Sequence, residues 1–130
     1  MSLNDLYTCH GENLSETPWD IYPRPQMRRD SYVNLNGQWE FRVGEEAAPV
    51  YEGSIRVPFC PESLLSGVNQ HFSEGSLLCY RKKVTLPEGF YKGRVLLHIG
   101  AADQELECYV NDKKVGEHKG GYEAFVFDIT

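Results

Sequence analysis

The chain has 130 residues, of which 41% are hydrophobic and 25% charged, a composition typical of a globular domain. A chain of this length forms one domain and buries about two-thirds of its unfolded surface, so it can fold without metal or disulfide staples. The formal net charge of -6 gives no long-range attraction to phosphate backbones, which argues against nucleic acid as a partner. No apolar run approaches the ~20 residues of a membrane span, so no membrane partner is expected either.

The four cysteines are scattered, with no Cys-x-x-Cys pair: Cys9, Cys60, Cys79 and Cys108. An even number would permit disulfides in a secreted protein, but the density is low for a stapled scaffold. Cys79 and Cys108 alternate with polar residues in strand-like runs, which predicts that both are small core side chains. This usage favours a reducing, cytoplasmic setting of bacterial type, with secretion as the alternative. In a secreted protein Asn13-Leu14-Ser15 would be a glycosylation acceptor.

The first part of the chain, residues 1–31, lacks sustained periodicity and is rich in proline. Proline fixes φ, lacks a backbone donor and pushes the preceding residue towards extended geometry. We therefore predict an extended N-terminal arm without a helix, followed by a β-sandwich domain over residues 32–130. Asn36-Gly37 marks a turn near the start of that domain.

From residue 39 onwards the periodicity predicts some seven or eight short strands and no long helix. The candidates are residues 39–43, 51–57, 79–86, 94–99, 104–110, 113–118 and 123–128, with a loop at 44–49 and a long ordered loop at 59–76. The run 94–99 is apolar at nearly every position, which predicts a strand buried on both faces. Asn111-Asp112 tolerates the positive φ of a tight hairpin turn. The pattern is that of an all-β, antiparallel sandwich of the jelly-roll kind.

Four blocks of sequence, in this order, carry a family resemblance. They are Tyr22-Pro23-Arg24-Pro25-Gln26 with Leu35-Asn36-Gly37; Val57-Pro58-Phe59-Cys60-Pro61-Glu62-Ser63; Tyr80-Arg81-Lys82; and the segment from Leu96 to Thr130, with Gly120-Gly121-Tyr122 and Asp128-Ile129-Thr130. Together they resemble the N-terminal sugar-binding domain of glycoside hydrolase family 2, the family of β-galactosidases, β-glucuronidases and β-mannosidases. Each block alone is a weak pattern, whereas four in order are hard to produce by chance.

The resemblance implies a galactose-binding-like jelly roll that stops before the family's final strand. It also implies a parent enzyme that hydrolyses terminal β-linked sugars with retention, through two glutamates on a TIM barrel. Immunoglobulin-like and barrel domains would follow Thr130 in such a parent, and the 130-residue chain alone is expected to be inactive. Its expected partners are the remaining domains of the parent and the parent's carbohydrate substrate. An uncovered sheet edge would also favour self-association.

The residues themselves offer no catalytic pair, metal site or cofactor site. None of the 19 acidic residues forms an evident pair of the kind that glycoside hydrolysis needs. Glu45-Glu46 is predicted to be a solvated turn, Glu62 to order its loop, and Asp103 and Asp128 to make turn or cap bonds. His118, next to the Gly120-Gly121 pair, is predicted to pack on a turn. None of the histidines has a metal-ligand spacing: His10, His71, His98 and His118.

Three aromatic residues are candidates for stacking on sugar: Trp19, Tyr22 and Tyr122. The alternative for an aromatic in a thin sandwich is a place in the core, which is predicted for Trp39 and the Phe125/Phe127 pair. Two other functions stay open beside the glycosidase domain. One is an autonomous carbohydrate-binding module, which needs an exposed aromatic platform, and the other is a purely structural domain without a ligand. The sequence does not distinguish galactoside, glucuronide and mannoside substrates.

Overall fold

The structure is a computed structural model that describes residues 7–21, 24–45 and 48–130. In chain order its elements are α1 (Cys9–Glu12), a 3-10 turn (Pro25–Met27), β1 (Gly37–Glu45), β2 (Ala48–Val57), a second 3-10 turn (Leu64–Ser66), β3 (Leu77–Arg81), β4 (Leu96–Ile99), β5 (Glu105–Val110), β6 (Lys113–Lys119) and β7 (Phe125–Asp128). All the strand pairs are antiparallel, so the chain has the all-β class that its periodicity predicted. The helices formed by these residues are too short to cross a membrane.

The chain separates into two compact units, Met1–Thr85 and Leu86–Thr130. The first contains a three-stranded sheet in the order β2-β1-β3, and the second contains two two-stranded ladders, β4-β7 and β5-β6. The boundary predicted between an arm (residues 1–31) and a domain (residues 32–130) stays a prediction.

The core of the first unit lies against one face of its sheet. Side chains alternate between faces along a strand, and this places Phe41 and Val43 of β1 on the same side as Ile55 of β2. These three residues are buried together with Val68 from the loop that follows β2. The residues packed against this cluster are Trp39, Val57, Phe72 and Leu78. The predicted alternation along residues 39–43 is therefore confirmed.

Two predicted boundaries in this unit are wrong. The predicted loop at 44–49 is shorter, because β1 continues to Glu45 and β2 begins at Ala48. Pro49 suggested a break, but in the sheet of the described residues β2 pairs with β1 alone, and an edge strand tolerates proline. The third strand ends at Arg81 rather than at residue 86. The next residue, Lys82, directs its ammonium group towards three backbone carbonyls instead. They belong to Leu35, Asn36 and Gln38, at 3.3, 3.5 and 3.2 Å.

The arm contains one helical turn that was not predicted. Thr8 caps α1, since its hydroxyl accepts a hydrogen bond from the Gly11 N–H at 3.2 Å, a common way to satisfy a free donor at a helix start. The Asn13 amide donates to the carbonyl of Cys9 at 2.9 Å. The expectation of an arm without a helix is thus wrong over Cys9–Glu12, where the threonine cap outweighs the lack of periodicity.

In the second unit the predicted hairpin is confirmed. Asn111 and Asp112 link β5 to β6 with φ angles of 49° and 63°, and two positive values define a type I′ turn. In β4, by contrast, side chains alternate between half-buried and exposed, and Leu96 is 37% exposed. The prediction that this strand is buried on both faces is wrong, because an apolar run of this length does not by itself show how many faces are covered.

Aromatic rings pack β7 against β6. Phe125 and Phe127 lie edge to face with their ring centroids 5.4 Å apart, and both are half-buried. A Cβ atom on Gly116 would stand 2.4 Å from Cε1 of Phe127, so the phenyl ring occupies the space that a side chain on β6 would need. The two rings thus pack on each other within the second unit, but neither belongs to the buried core cluster of the described residues, so the predicted core role holds only in part.

The cysteine predictions hold in part. All four cysteines are free, and Cys108 is half-buried, which raises the pKa of its thiol. Cys79 is exposed, so its predicted place in the core is wrong. It pairs with Arg42, on the face of the sheet that carries polar side chains, and alternation alone did not show which face is buried.

Candidate functional site

Trp19 is the aromatic candidate that the first unit presents to solvent. It is 66% exposed, and its ring lies 5.5 Å from that of Phe59 at an interplanar angle of 40°. Phe59 follows β2 and is half-buried, so it supports the indole from one side. The backbone of Trp19 has a φ of 51°, a left-handed conformation that non-glycine residues seldom adopt.

Two asparagines hold the backbone at this point. The Asn34 amide donates to the carbonyl of Trp19 at 2.7 Å, and the Asn36 amide donates to the carbonyl of Pro18 at 3.0 Å. The Asn36 N–H in turn donates to Oδ1 of Asn34 at 2.8 Å, which fixes the amide orientation of that side chain. Pro18 itself is fully buried. The exposed indole therefore stands on a segment that two side-chain hydrogen bonds and one buried proline hold in place.

The other two sugar-stacking candidates are placed differently. Tyr122 belongs to the second unit, between β6 and β7, and is fully exposed at 104%. Tyr22 lies outside the described residues. Trp19 and Tyr122 belong to different compact units, and each is a candidate by itself.

Beside Tyr122, His118 packs as predicted on the segment that leads from β6 to β7. Its ring stacks on Phe125 with centroids 3.9 Å apart and an interplanar angle of 10°. Its Nε2 lies 3.2 Å from Oε1 of Glu123. A Cβ atom on Gly121 would be 2.6 Å from Oδ1 of Asp103, which explains why the chain needs glycine here. Stacking and a single carboxylate contact make His118 a packing residue of this reversal.

The loop after β2 is ordered by two serines. Ser66 is 1% exposed; its hydroxyl donates to the Ser63 carbonyl at 2.7 Å and accepts from the Val68 N–H at 3.0 Å. The Ser63 hydroxyl donates to the Cys60 carbonyl at 2.7 Å. Glu62, predicted to order this loop, is exposed, and its negative charge reinforces the effect of burial in raising the pKa of Tyr80. The predicted turn at Glu45-Glu46 falls on residues whose side chains lie outside the described part.

The carboxyls whose pKa values shift are all held in the ionised form. Hydrogen bonds from Thr130 and Arg94 lower the pKa of Asp128 to about 2. The Arg81 guanidinium lowers the pKa of Glu40, and the hydroxyl of Tyr109 lowers that of Glu107. The general acid of a glycosidase needs a raised pKa instead, so none of these three carboxyls suits that role.

A metal site is equally unsupported in the part of the chain that the structure covers. Over residues 7–21, 24–45 and 48–130, no three His, Cys, Asp or Glu side chains gather closely enough to hold a metal ion. What the described residues offer is an exposed aromatic ring and a set of ion pairs.

Comparison with known proteins gives the chain its relatives. No protein-family model matches it. It is 31% identical over 112 residues to a β-galactosidase of Thermoanaerobacter pseudethanolicus. That alignment covers 80% of this chain and 15% of the β-galactosidase. It is 28% identical over 109 residues to a β-glucuronidase of Streptococcus agalactiae, covering 81% of this chain and 18% of that protein. The human β-glucuronidase is 29% identical over 130 residues, covering 85% of this chain and 20% of that protein.

These similarities to two kinds of β-glycosidase extend over most of the chain, as the four sequence blocks do. They are consistent with the resemblance to the N-terminal domain of glycoside hydrolase family 2. It spans only 15%, 18% and 20% of the length of the three relatives named.

The sequence patterns did not reveal the residues that support Trp19. The sequence predicts a turn at Asn36 and a loop at Phe59, and it assigns no role to Asn34. A signal existed, because asparagine side chains often hydrogen-bond nearby backbone, but the carbonyls they bind lie 15 and 18 residues earlier in the chain. Such long-range pairs cannot be read from local spacing.

Proposed function

We propose that this chain is the N-terminal domain of a retaining family 2 β-glycosidase, and that it supports the catalytic barrel and shapes the substrate entrance. The observation that carries the proposal is the asymmetry of the alignments. A β-glucuronidase of dog matches 96% of this chain, yet the chain covers only 21% of that protein. The relatives therefore hold most of their residues outside the region that they share with this chain.

The chemistry of the reaction also supports a catalytic site outside this chain. Retaining hydrolysis needs a nucleophile and an acid/base carboxyl about 5 Å apart, and the described carboxyls with shifted pKa values are fixed in ion pairs. We assign both catalytic carboxylates to the part of the parent that lies outside this chain. The substrate would be a terminal β-linked sugar, such as the galactosides or glucuronides for which the relatives are named.

A supporting role also fits the surface. Large apolar side chains are exposed on both units, such as Leu77 at 51% and Val126 at 47%. Exposed apolar surface of this kind marks contact sites when it is contiguous. In the proposed parent such side chains would be covered by the remaining domains.

The test compares the 130-residue chain with the complete product of its source gene. Both are assayed on p-nitrophenyl β-galactoside, β-glucuronide and β-mannoside. We expect turnover of one of these by the complete product and none by the 130-residue chain. A gene that stops close after Thr130, or hydrolysis by the short chain alone, would overturn the proposal. Removal of residues 1–130 from the complete product serves as the reciprocal control, and we expect it to abolish soluble, active enzyme.

A second candidate function is an autonomous carbohydrate-binding module. The exposed and braced indole of Trp19 favours it, because such a module needs an aromatic platform. Sugar affinity of the 130-residue chain alone distinguishes the module from the glycosidase domain, since an autonomous module binds sugar without a catalytic barrel. A purely structural domain would show neither sugar affinity nor hydrolysis on its own.

A further inference from the structure

Trp19 is exceptional among the residues with left-handed backbone geometry. In the described part of the chain four non-glycine residues have positive φ, and the other three are Asn69, Asn111 and Asp112. Asparagine and aspartate tolerate this region because their short polar side chains bond locally, whereas a bulky aromatic does not. The conformation at Trp19 is therefore strained, and it requires the surrounding structure to impose it.

The surroundings do impose it. The carbonyls of Pro18 and Trp19 each accept a hydrogen bond from an asparagine amide, at 3.0 and 2.7 Å. Pro18 is fully buried, so the segment cannot relax outwards without exposing an apolar ring. The start of β1 adds a steric limit, because a Cβ atom on Gly37 would lie 3.1 Å from the carbonyl oxygen of Glu16. Strain that is held in this way is typical of binding and catalytic sites.

The strain does not serve core packing. The other tryptophan, Trp39, is half-buried and its indole N–H donates to the Leu35 carbonyl at 2.7 Å. Trp19, by contrast, is 66% exposed and touches the ring of Phe59 on one side. An asparagine at position 19 would meet the backbone requirement at lower cost, so the aromatic ring is present for what it offers to solvent.

The residues next to Trp19 in the chain suit a sugar ligand. Along residues 15–21, the exposed side chains other than Trp19 are polar, with Ile21 as the single apolar exception. A pyranose is the size of an indole, and it combines an apolar face of C–H groups with hydroxyls at its rim. Asp20, which follows Trp19 in the chain and is exposed, can accept hydrogen bonds from hydroxyls and would repel a carboxylate.

We propose that Trp19, braced by Phe59 and clamped by Asn34 and Asn36, is a carbohydrate contact on which a neutral pyranose ring stacks. The choice of a sugar as ligand rests on the proposed function, whereas the strained and exposed ring is observed independently of it. The site selects neutral sugars over uronates through the neighbouring carboxylate of Asp20.

The test uses the 130-residue chain and follows tryptophan fluorescence, to which only Trp19 and Trp39 contribute. The probes are cellotetraose and β-1,4-galactotetraose as neutral sugars and trigalacturonate as an anionic one. We expect a saturable blue shift with at least one neutral probe, with a dissociation constant in the millimolar range that is usual for a single stacking contact. Trigalacturonate is expected to bind about tenfold more weakly or not at all.

The informative variant is Trp19→Asn. Its sugar binding is followed by calorimetry, because the substitution removes the tryptophan whose fluorescence reports binding in the wild type. We expect it to unfold at the same temperature as the wild type or higher, since asparagine tolerates positive φ, and to lose about tenfold or more in sugar affinity. Asn34→Ala keeps the indole but releases the clamp, and a loss of affinity is expected there too. Tyr91→Ala, which removes a 62% exposed aromatic from the other unit, is the matched control and should bind as the wild type does.

Several results would overturn the inference. They are the absence of saturable binding to either neutral probe, equal affinity in Trp19→Asn and the wild type, or tighter binding of trigalacturonate. A lower unfolding temperature for Trp19→Asn with unchanged sugar affinity would assign the ring to structure or to protein docking instead. Loss of sugar binding while the complete gene product still hydrolyses a β-glycoside would leave the proposed function intact. Binding without hydrolysis by that product would overturn the proposed function alone.

Discussion

Asp128, the last residue of β7, gives each of its carboxylate oxygens a separate set of partners. Oδ1 accepts from the hydroxyl and the N–H of Thr130 at 2.5 and 3.0 Å, and Oδ2 accepts from the Nε and Nη2 of Arg94 at 3.0 and 2.7 Å. The Thr130 hydroxyl also accepts from the Val95 N–H at 2.9 Å. This network extends the β4-β7 pairing, so Asp128 and Thr130 of the Asp-Ile-Thr block have a structural role. The turn bond predicted for Asp128 is confirmed.

We expect Asp128→Asn to destabilise the protein at neutral pH and to have no further effect in strong acid. The pKa of this carboxyl falls from an ordinary 3.8 to about 2 on folding. Its ionised form therefore stabilises the folded state above pH 3.8, and this contribution is lost as the pH falls through about 2. Thermal unfolding of wild type and variant across this pH range measures the difference, which should shrink towards zero.

Asp112→Asn is the control for this experiment. It makes the same chemical change at an exposed turn residue with a φ of 63°, which asparagine also tolerates. A gap between Asp128→Asn and the wild type that persists unchanged into strong acid would show that the ionised carboxylate is not its source.

Gly116 provides the second prediction at the scale of single residues. A methyl group there would lie 2.4 and 2.6 Å from two carbons of the Phe127 ring, so the ring would have to move. Overpacking of this kind costs about 1–3 kcal/mol, and we expect Gly116→Ala to lower the free energy of unfolding by that amount in a denaturant titration. Gly100→Ala is the control, since nothing lies within 4 Å of its Cβ position. Equal stability of the two variants would mean that β6 and β7 do not pack together as described.

At the scale of elements, the loop after β2 depends on one buried hydroxyl. Ser66→Ala would leave the Val68 N–H, now bonded to that hydroxyl at 3.0 Å, without its acceptor. A buried donor left unpaired costs about 1–3 kcal/mol, and Val68 belongs to the core cluster, so we expect a loss of stability of this size. Denaturant unfolding measures it against Ser73→Ala, an exposed hydroxyl of the same loop, which should change little. A loss no larger than that of Ser73→Ala would contradict the role of Ser66.

The elements also show what the sequence could and could not predict. The alternation along residues 39–43 predicted β1, and Asn111-Asp112 predicted the hairpin, because both signals act through neighbouring residues. The errors come from relations across the sheet. Pro49 is tolerated because β2 is an edge strand, and Cys79 is exposed because its face of the sheet is the polar one. For the candidate site, the indole of Trp19 was predicted as a possibility, but its support by Asn34 could not be.

At the scale of the whole molecule, the described strands leave several sheet edges without a partner strand. Among the described residues, β2 and β3 each pair on one side only, and the strands of the second unit form two-stranded ladders. Two-stranded ladders are marginally stable in water, and unpaired edges recruit other strands. In the proposed parent, further residues of the same chain would take up these edges.

We therefore expect the isolated 130-residue chain to self-associate through an uncovered strand edge. Its weight-average mass in sedimentation equilibrium should rise with concentration. Leu77 on β3 is 51% exposed, and Leu77→Lys should reduce the association if β3 is the edge used, because a lysine on an edge opposes strand pairing. Tyr122→Lys adds the same charge at a fully exposed site outside the strands and should leave the association unchanged. A stable monomer over a wide concentration range would show that the edges are protected, and equal effects of the two lysines would point to net charge rather than to the edge of β3.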